Sequence, residues 1–152
     1  MDAMSLLRED HQSGQEDVLG GRIDHRTGVK TREELFTKVR QELVVHEAIE
    51  EEIFYPALKV HPKTKEIALE AYEEHHVVDM VMAEIDGVAY DDEQWGAKFK
   101  VIKENLEHHI EEEEGEMFEQ AKQVFDEDEL AQLGEYMEAR KEELMQQQSS
   151  TS

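Results

Sequence analysis

The sequence predicts an all-α fold: an up-down-up-down four-helix bundle with an additional short helix at its C-terminal end. Three observations predict it. Only two prolines, Pro56 and Pro62, interrupt a chain rich in Glu, Ala, Leu, Lys and Gln, which are strong helix formers. Apolar residues recur at the three-four spacing of a buried helical face in five blocks, separated by recognisable breaks. Short links between long blocks favour antiparallel neighbours.

The first block runs from about Ala3 to Leu19, and Gly20-Gly21 ends it. The stretch Gly20 to Lys30 holds three glycines and no periodicity, which reads as a loop. Thr31 opens the second helix, with Glu34 three residues later completing a capping box. That helix reaches about Val60, kinks near Tyr55 because of Pro56, and closes at His61-Pro62. The third covers Lys63 to Ile85 and stops at Gly87. Asp91 or Asp92 caps the fourth, which runs to about Phe125. Asp126 starts a short fifth helix ending near Met145. Residues 1–145 thus read as a single domain, and 146–152 as a disordered polar tail.

Charge and composition remove several function classes. The formal net charge of −23 repels phosphate, so neither nucleic acid nor an anionic membrane is expected as a partner. The absence of cysteine excludes disulfide scaffolds, thiolate zinc sites, iron–sulfur clusters and cysteine nucleophiles. No stretch approaches the roughly eighteen apolar residues of a membrane span. Met1 to Asp10 carries charges where a signal peptide would have its apolar run, so a cytoplasmic protein is expected, monomeric or weakly self-associating.

The stripe that should be purely apolar is not. Helix one gives Met4, Leu7, His11, Gly14 and Val18, and helix two Val39, Leu43, His46, Glu50, Ile53 and Ala57. Helix three gives Ala68, Ala71, His75, Val78, Met82 and Ile85, and helix four Trp95, Phe99, Ile102, Leu106, His109, Glu113 and Met117. Each helix places one histidine in the core register, and two of them add a glutamate one turn on. His25, His61, His76 and His108 fall in loops or off the stripe. Burying Glu50 and Glu113 is costly unless a cation compensates, and no Lys or Arg shares the stripe near them. A bound metal supplies that charge, with neutral imidazoles as ordinary ligands.

Four imidazoles and several carboxylates exceed one tetrahedral zinc. Two octahedral ions offer about twelve positions, most of them filled by four histidines, two bridging carboxylates and an oxo or hydroxo bridge. About two stay open for Glu47, Asp79, water or a ligand. Two non-haem iron ions fit this set best, with manganese or zinc as alternative occupants.

The segments Leu43-Val-Val-His46-Glu-Ala-Ile-Glu50-Glu-Glu-Ile-Phe-Tyr-Pro56, Glu74-His75-His-Val-Val-Asp79 and His108-His109-Ile-Glu-Glu-Glu113-Glu114-Gly-Glu-Met-Phe118, with Asp10-His11 before them, resemble the hemerythrin-like HHE cation-binding domain. The resemblance spans about residues 2 to 145. It implies a non-haem di-iron site that binds oxygen or responds to oxidants, with His11, His46, Glu50, His75, His109 and Glu113 as ligands and Glu47 as a further one. Two departures argue against simple reversible oxygen carriage. The third helix has His75 and Asp79 where oxygen carriers have two histidines, and their last bridging acid would correspond to Glu114 rather than Glu113. The expected function is therefore binding of, or response to, oxygen, peroxide or nitric oxide, in sensing, storage or oxidative-stress defence. The alternative is an enzyme with catalase-like or ferroxidase activity at the same site. Ferritin-like sites use Glu-x-x-His motifs, and the order here is reversed.

Overall fold

The computed structural model describes residues 1–20 and 28–150. Helix α1 (Ala3–Gly20) is capped by Asp2, whose side chain accepts from the Ser5 amide at 2.8 Å. Helix α2 (Val29–Ile49) starts two residues before the expected position. Gly28 is its N-cap with no side-chain bond, so Thr31 lies inside the first turn and the Thr31/Glu34 box does not form. The loop expected over Gly20 to Lys30 lies mostly outside the described residues, as does the side chain of Val18.

The break expected near Tyr55 takes a specific form. A π-turn, π1 (Glu50–Phe54), follows α2 directly and leads into α3 (Tyr55–Lys59). The Tyr55 amide donates to the Glu50 carbonyl, five residues back rather than four. Helix α4 (Pro62–Ile85) follows, then α5 (Glu93–Glu112), capped by Asp92, which accepts from the Gln94 amide at 2.8 Å. A second π-turn, π2 (Glu113–Met117), again begins at a glutamate and delivers the chain into α6 (Phe118–Val124). Its Phe118 amide donates to the Glu113 carbonyl. Helix α7 (Glu127–Ser150) spans 24 residues, so the fifth helix is not short and continues past Met145. A reciprocal capping box does form at its start: Asp126 accepts from the Glu129 amide at 2.8 Å, and Glu129 accepts from the Asp126 amide at 3.2 Å.

Helices α1, α2–α3, α4 and α5–α6 make the four-helix bundle. Helix α7 packs along α1 and α2. Gly134 lies against Met1 to Ala3 and Lys141 against Asp10, so α7 runs parallel to α1; Arg140 meets Glu52 and Gln148 meets Gln41, so it runs antiparallel to α2.

The interior has two apolar clusters. One contains Leu6, Leu7, Phe54, Tyr55, Leu58, Phe118 and Met137. The other contains Phe36, Val78, Met82, Trp95, Phe99 and Ile102, with the Trp95 and Phe99 rings stacked at 5.3 Å. His11, His46, His75 and His109 lie on the four helices between these clusters, which leaves one polar layer at the waist of an otherwise apolar bundle.

Candidate metal centre

The layer is built from two histidine pairs and two carboxylates. The rings of His11 and His46 lie 4.8 Å apart, edge to face, and those of His75 and His109 are also 4.8 Å apart. Glu50 spans the pairs: its Oε1 is 3.1 Å from His46 Nε2 and 3.2 Å from His75 Nε2. Glu113 spans them the other way, with Oε1 3.1 Å from His11 Nε2 and Oε2 3.2 Å from His109 Nε2. Both carboxylates are essentially fully buried.

These close approaches are not hydrogen bonds. His11 Nε2, His46 Nε2, Glu113 Oε1 and both oxygens of Glu50 are buried with no hydrogen-bond partner, an arrangement costing on the order of 1–3 kcal/mol per group if nothing answers it. Ligand atoms of His11, His46, Glu50 and Glu113 lie within 4.8 Å of one another, and so do those of Glu50, His75 and His109. The two donor sets share Glu50, each could hold a cation, and buried donor atoms left without a hydrogen-bond partner fit such a role.

The outward edges of the imidazoles face acids in a closed circuit. Asp10 on α1 accepts from His46 Nδ1 on α2 at 3.1 Å. Glu51 in π1 lies 3.4 Å from His75 Nδ1 on α4, and Glu74 on α4 accepts from His109 Nδ1 on α5 at 2.5 Å. Glu114 in π2 closes the circle, 3.8 Å from His11 Nδ1 on α1. Each acid is the chain neighbour of one predicted ligand and faces the histidine of the next helix. At His46 and His109 the contact is a hydrogen bond, and an acceptor at Nδ1 keeps the proton there and turns Nε2 toward the centre; Nδ1 of His11 and of His75 only lies near its acid.

The electrostatics arise from this crowding. Burial works to lower the pKa of His46, but the Glu50 charge and the Asp10 hydrogen bond outweigh it and hold it well above 6.5. His109, likewise opposed by burial, is pushed up to about 10 by Glu113 and Glu74. Burial pushes Glu50 up, yet the His46 charge beside it keeps it well below the usual carboxylate range. Glu74, despite desolvation, falls to about 2 through its bond to His109.

One residue of the centre escaped the sequence reading. Tyr55 is fully buried; its hydroxyl donates to Glu113 Oε2 at 2.7 Å and lies 3.3 Å from His75 Nε2 and 3.1 Å from His109 Nε2. Burial and the charges of Glu50 and Glu113 hold its pKa well above 10, so the phenol keeps its proton. Tyr55 sits five residues after Glu50, off the three-four stripe, and only the wide π1 turn brings it inward. Its one sequence signal is its place beside Pro56.

The structure separates the remaining candidates from this set. Glu47 is buried, and desolvation together with a hydrogen bond to Asp79 raises its pKa to about 9. It shares a group with Glu51 and His75 on the outer side of His75; Asp79 is exposed. Glu114 faces the outer edge of His11 rather than the centre. His76 and His108 are exposed, His61 packs edge-on against Phe125 at 5.2 Å, and His25 lies outside the described residues.

A cavity of about 80 Å³ adjoins the layer, several times the ~10–15 Å³ that admits one water. Its wall is largely apolar, with Gly14, Val39, Leu43, Leu106 and Ile110, but Asp10, Glu42, Lys103 and Glu107 also line it, and all four histidines reach it. A Cβ built on Gly14 meets nothing within 4 Å.

Fold and site together define a class: a helical bundle whose waist carries a buried histidine–carboxylate cluster able to hold metal. The model of the hemerythrin HHE cation-binding domain matches residues 2–121, and the chain belongs to that family. A solved structure of an HHE cation-binding domain-containing protein from Mycobacterium kansasii superimposes with a TM-score of 0.82 at 26% identity, over 95% of this chain and 87% of that one. No curated protein matches the chain. No helix among the described residues is long and apolar enough to cross a membrane.

Proposed function

We propose that this chain is a non-haem di-iron protein that binds or responds to oxygen, peroxide or nitric oxide. The observation that carries this reading is the pairing of His11 with His46 and of His75 with His109 around two buried carboxylates, next to a small, largely apolar cavity. His11, His46, Glu50 and Glu113 would hold one ion, and His75, His109, Glu50 and Glu113 the other. Iron held by these residues would supply electron transfer and a binding position for a small ligand. The residues do the rest. Asp10 and Glu74 orient the His46 and His109 imidazoles, Val39, Leu43, Leu106 and Ile110 offer a small ligand an apolar surface beside the histidines, and Tyr55 donates to Glu113.

The Tyr55 hydroxyl favours a second reading, catalase-like turnover, because a hydrogen-bond donor fixed beside the centre can orient a peroxide oxygen and stabilise charge that develops on it.

The test is iron analysis together with an optical spectrum recorded with and without oxygen and peroxide. About two irons per chain are expected. His46→Ala, His75→Ala and His109→Ala should each lose metal and destabilise the fold, because the remaining acids become uncompensated buried charges. Full metal content in His75→Ala removes that residue from the ligand set. A spectrum unchanged by either oxidant, in a fully loaded protein, overturns the ligand-binding reading.

A further inference from the structure

The circuit of acids around the histidines is not uniform. Glu51, Glu74 and Glu114 have no ammonium or guanidinium on them among the described residues, whereas Asp10 binds the Lys141 ammonium through Oδ1 while Oδ2 takes the His46 proton. Both oxygens of one carboxylate are therefore held, one by the centre and one by α7. The Asp10 side chain is 12% exposed and that of Lys141 34%, so the pair is partly shielded from water, where a fixed ion pair retains more of its strength than at the surface. Lys141 lies beyond residues 2–121, the part of the chain that the family model matches. Helix α7 thus reaches the polar layer from outside the shared bundle.

We infer that Lys141 is a positioning residue for the metal centre: through Asp10 it holds the His46 ring in the orientation that turns Nε2 toward Glu50. The inference rests on the metal reading above. Its physical basis is the geometry of a chain of three contacts. A carboxylate with only one oxygen engaged can rotate about its Cβ–Cγ bond and let the imidazole turn with it. With Oδ1 anchored on an ammonium carried by a packed helix, Oδ2 stays aligned with His46 Nδ1. Two features of α7 keep that ammonium in place: the buried Met137 one turn before it and the adjacent Arg140 bonded to Glu52 at 2.8 Å. The centre is thereby sensitive to whether α7 is docked, although α7 supplies no atom to it.

Zinc affinity, measured by competition with a chromophoric chelator, tests this without redox chemistry. Lys141→Met and Lys141→Gln should each weaken binding about tenfold, the scale of losing an outer-shell partner, while Lys141→Arg stays within about twofold of wild type. Gln148→Ala, which also removes a tie of α7 but does not touch Asp10, should leave affinity unchanged and so separates positioning from docking in general. The decisive comparison is a double-mutant cycle: on an Asp10→Asn background, Lys141→Met should cost nothing further. Unchanged affinity in Lys141→Met, or equal losses with and without Asp10, overturns the inference. A wild-type protein that takes up neither zinc nor iron overturns the metal reading itself, and this inference with it.

Discussion

Tyr55 and Gly14 mark the two sides of the candidate centre, one polar and one open, and single substitutions separate their roles. Tyr55→Phe keeps the ring between Phe54, Tyr72 and His75 and removes only the hydroxyl that donates to Glu113. The fold should survive with a loss of about 1–2 kcal/mol and iron content should stay near wild type, but reaction with peroxide should slow. Stopped-flow spectra of the loaded protein check this, and unchanged rates would sink the role of the hydroxyl as a hydrogen-bond donor in the reaction. Gly14→Val fills open space beside the cavity. It should raise helix stability, since Gly costs roughly 1 kcal/mol in a helix interior, yet slow the reaction with oxygen or peroxide by narrowing the approach. A correctly loaded Gly14→Val protein reacting at wild-type rates would show that the cavity is not the route.

At the scale of elements, the two π-turns and the docking of α7 set the geometry. Both π-turns start at the bridging glutamates, and each inserts a residue that rotates the succeeding turns relative to a continuous α-helix. That rotation buries Phe54, Tyr55 and Leu58 and leaves Ile53 and Ala57 half-buried. Helix α7 meets α1 at Gly134, where a Cβ would run into the Met1 carbonyl oxygen and sit 2.7 Å from the Asp2 carbonyl carbon. Gly→Ala in a helix ordinarily stabilises. Here the added methyl meets backbone, so Gly134→Ala should destabilise by about 1–3 kcal/mol, lowering the thermal midpoint by several degrees. A raised midpoint would mean that the chain start yields without cost.

For the molecule as a whole, pH should act in opposite senses on the metal-stripped and the metal-loaded protein. In the stripped protein His109 has a folded pKa of about 10 and His46 one well above 6.5. A raised folded value means stability fully present below the unfolded pKa of about 6.5 and lost as pH rises through the folded one. Glu74, depressed to about 2, contributes stability above its unfolded value of about 4.3 that is lost as pH falls through the folded value. The stripped protein should therefore be most stable between about pH 4.3 and 6.5. Metal requires the neutral imidazoles, so at pH 7 its binding should expel about two protons per chain, from His46 and His109, and its affinity should climb with pH. Calorimetry in two buffers of different ionisation enthalpy counts the protons. Release of none would contradict ligation by these histidines.

The helical class, the four bundle helices and the register up to Glu50 and Glu113 were legible in the sequence, because burial of one face imposes a three-four recurrence that intervening chemistry does not disguise. Four histidines and two glutamates on that face stood out for the same reason: an apolar stripe makes each polar member conspicuous. The two π-turns were not legible beyond the break that Pro56 announces, since a widened turn leaves no periodic trace, and Tyr55 was lost with them. The length of α7 was hidden by a polar end, Gln146 to Ser149, that stays helical. The circuit of acids and the Lys141 tie belong to tertiary structure alone. Asp10 and Glu74 each adjoin one histidine in the chain yet face another across a helix gap, and only the relative rotation of packed helices decides which.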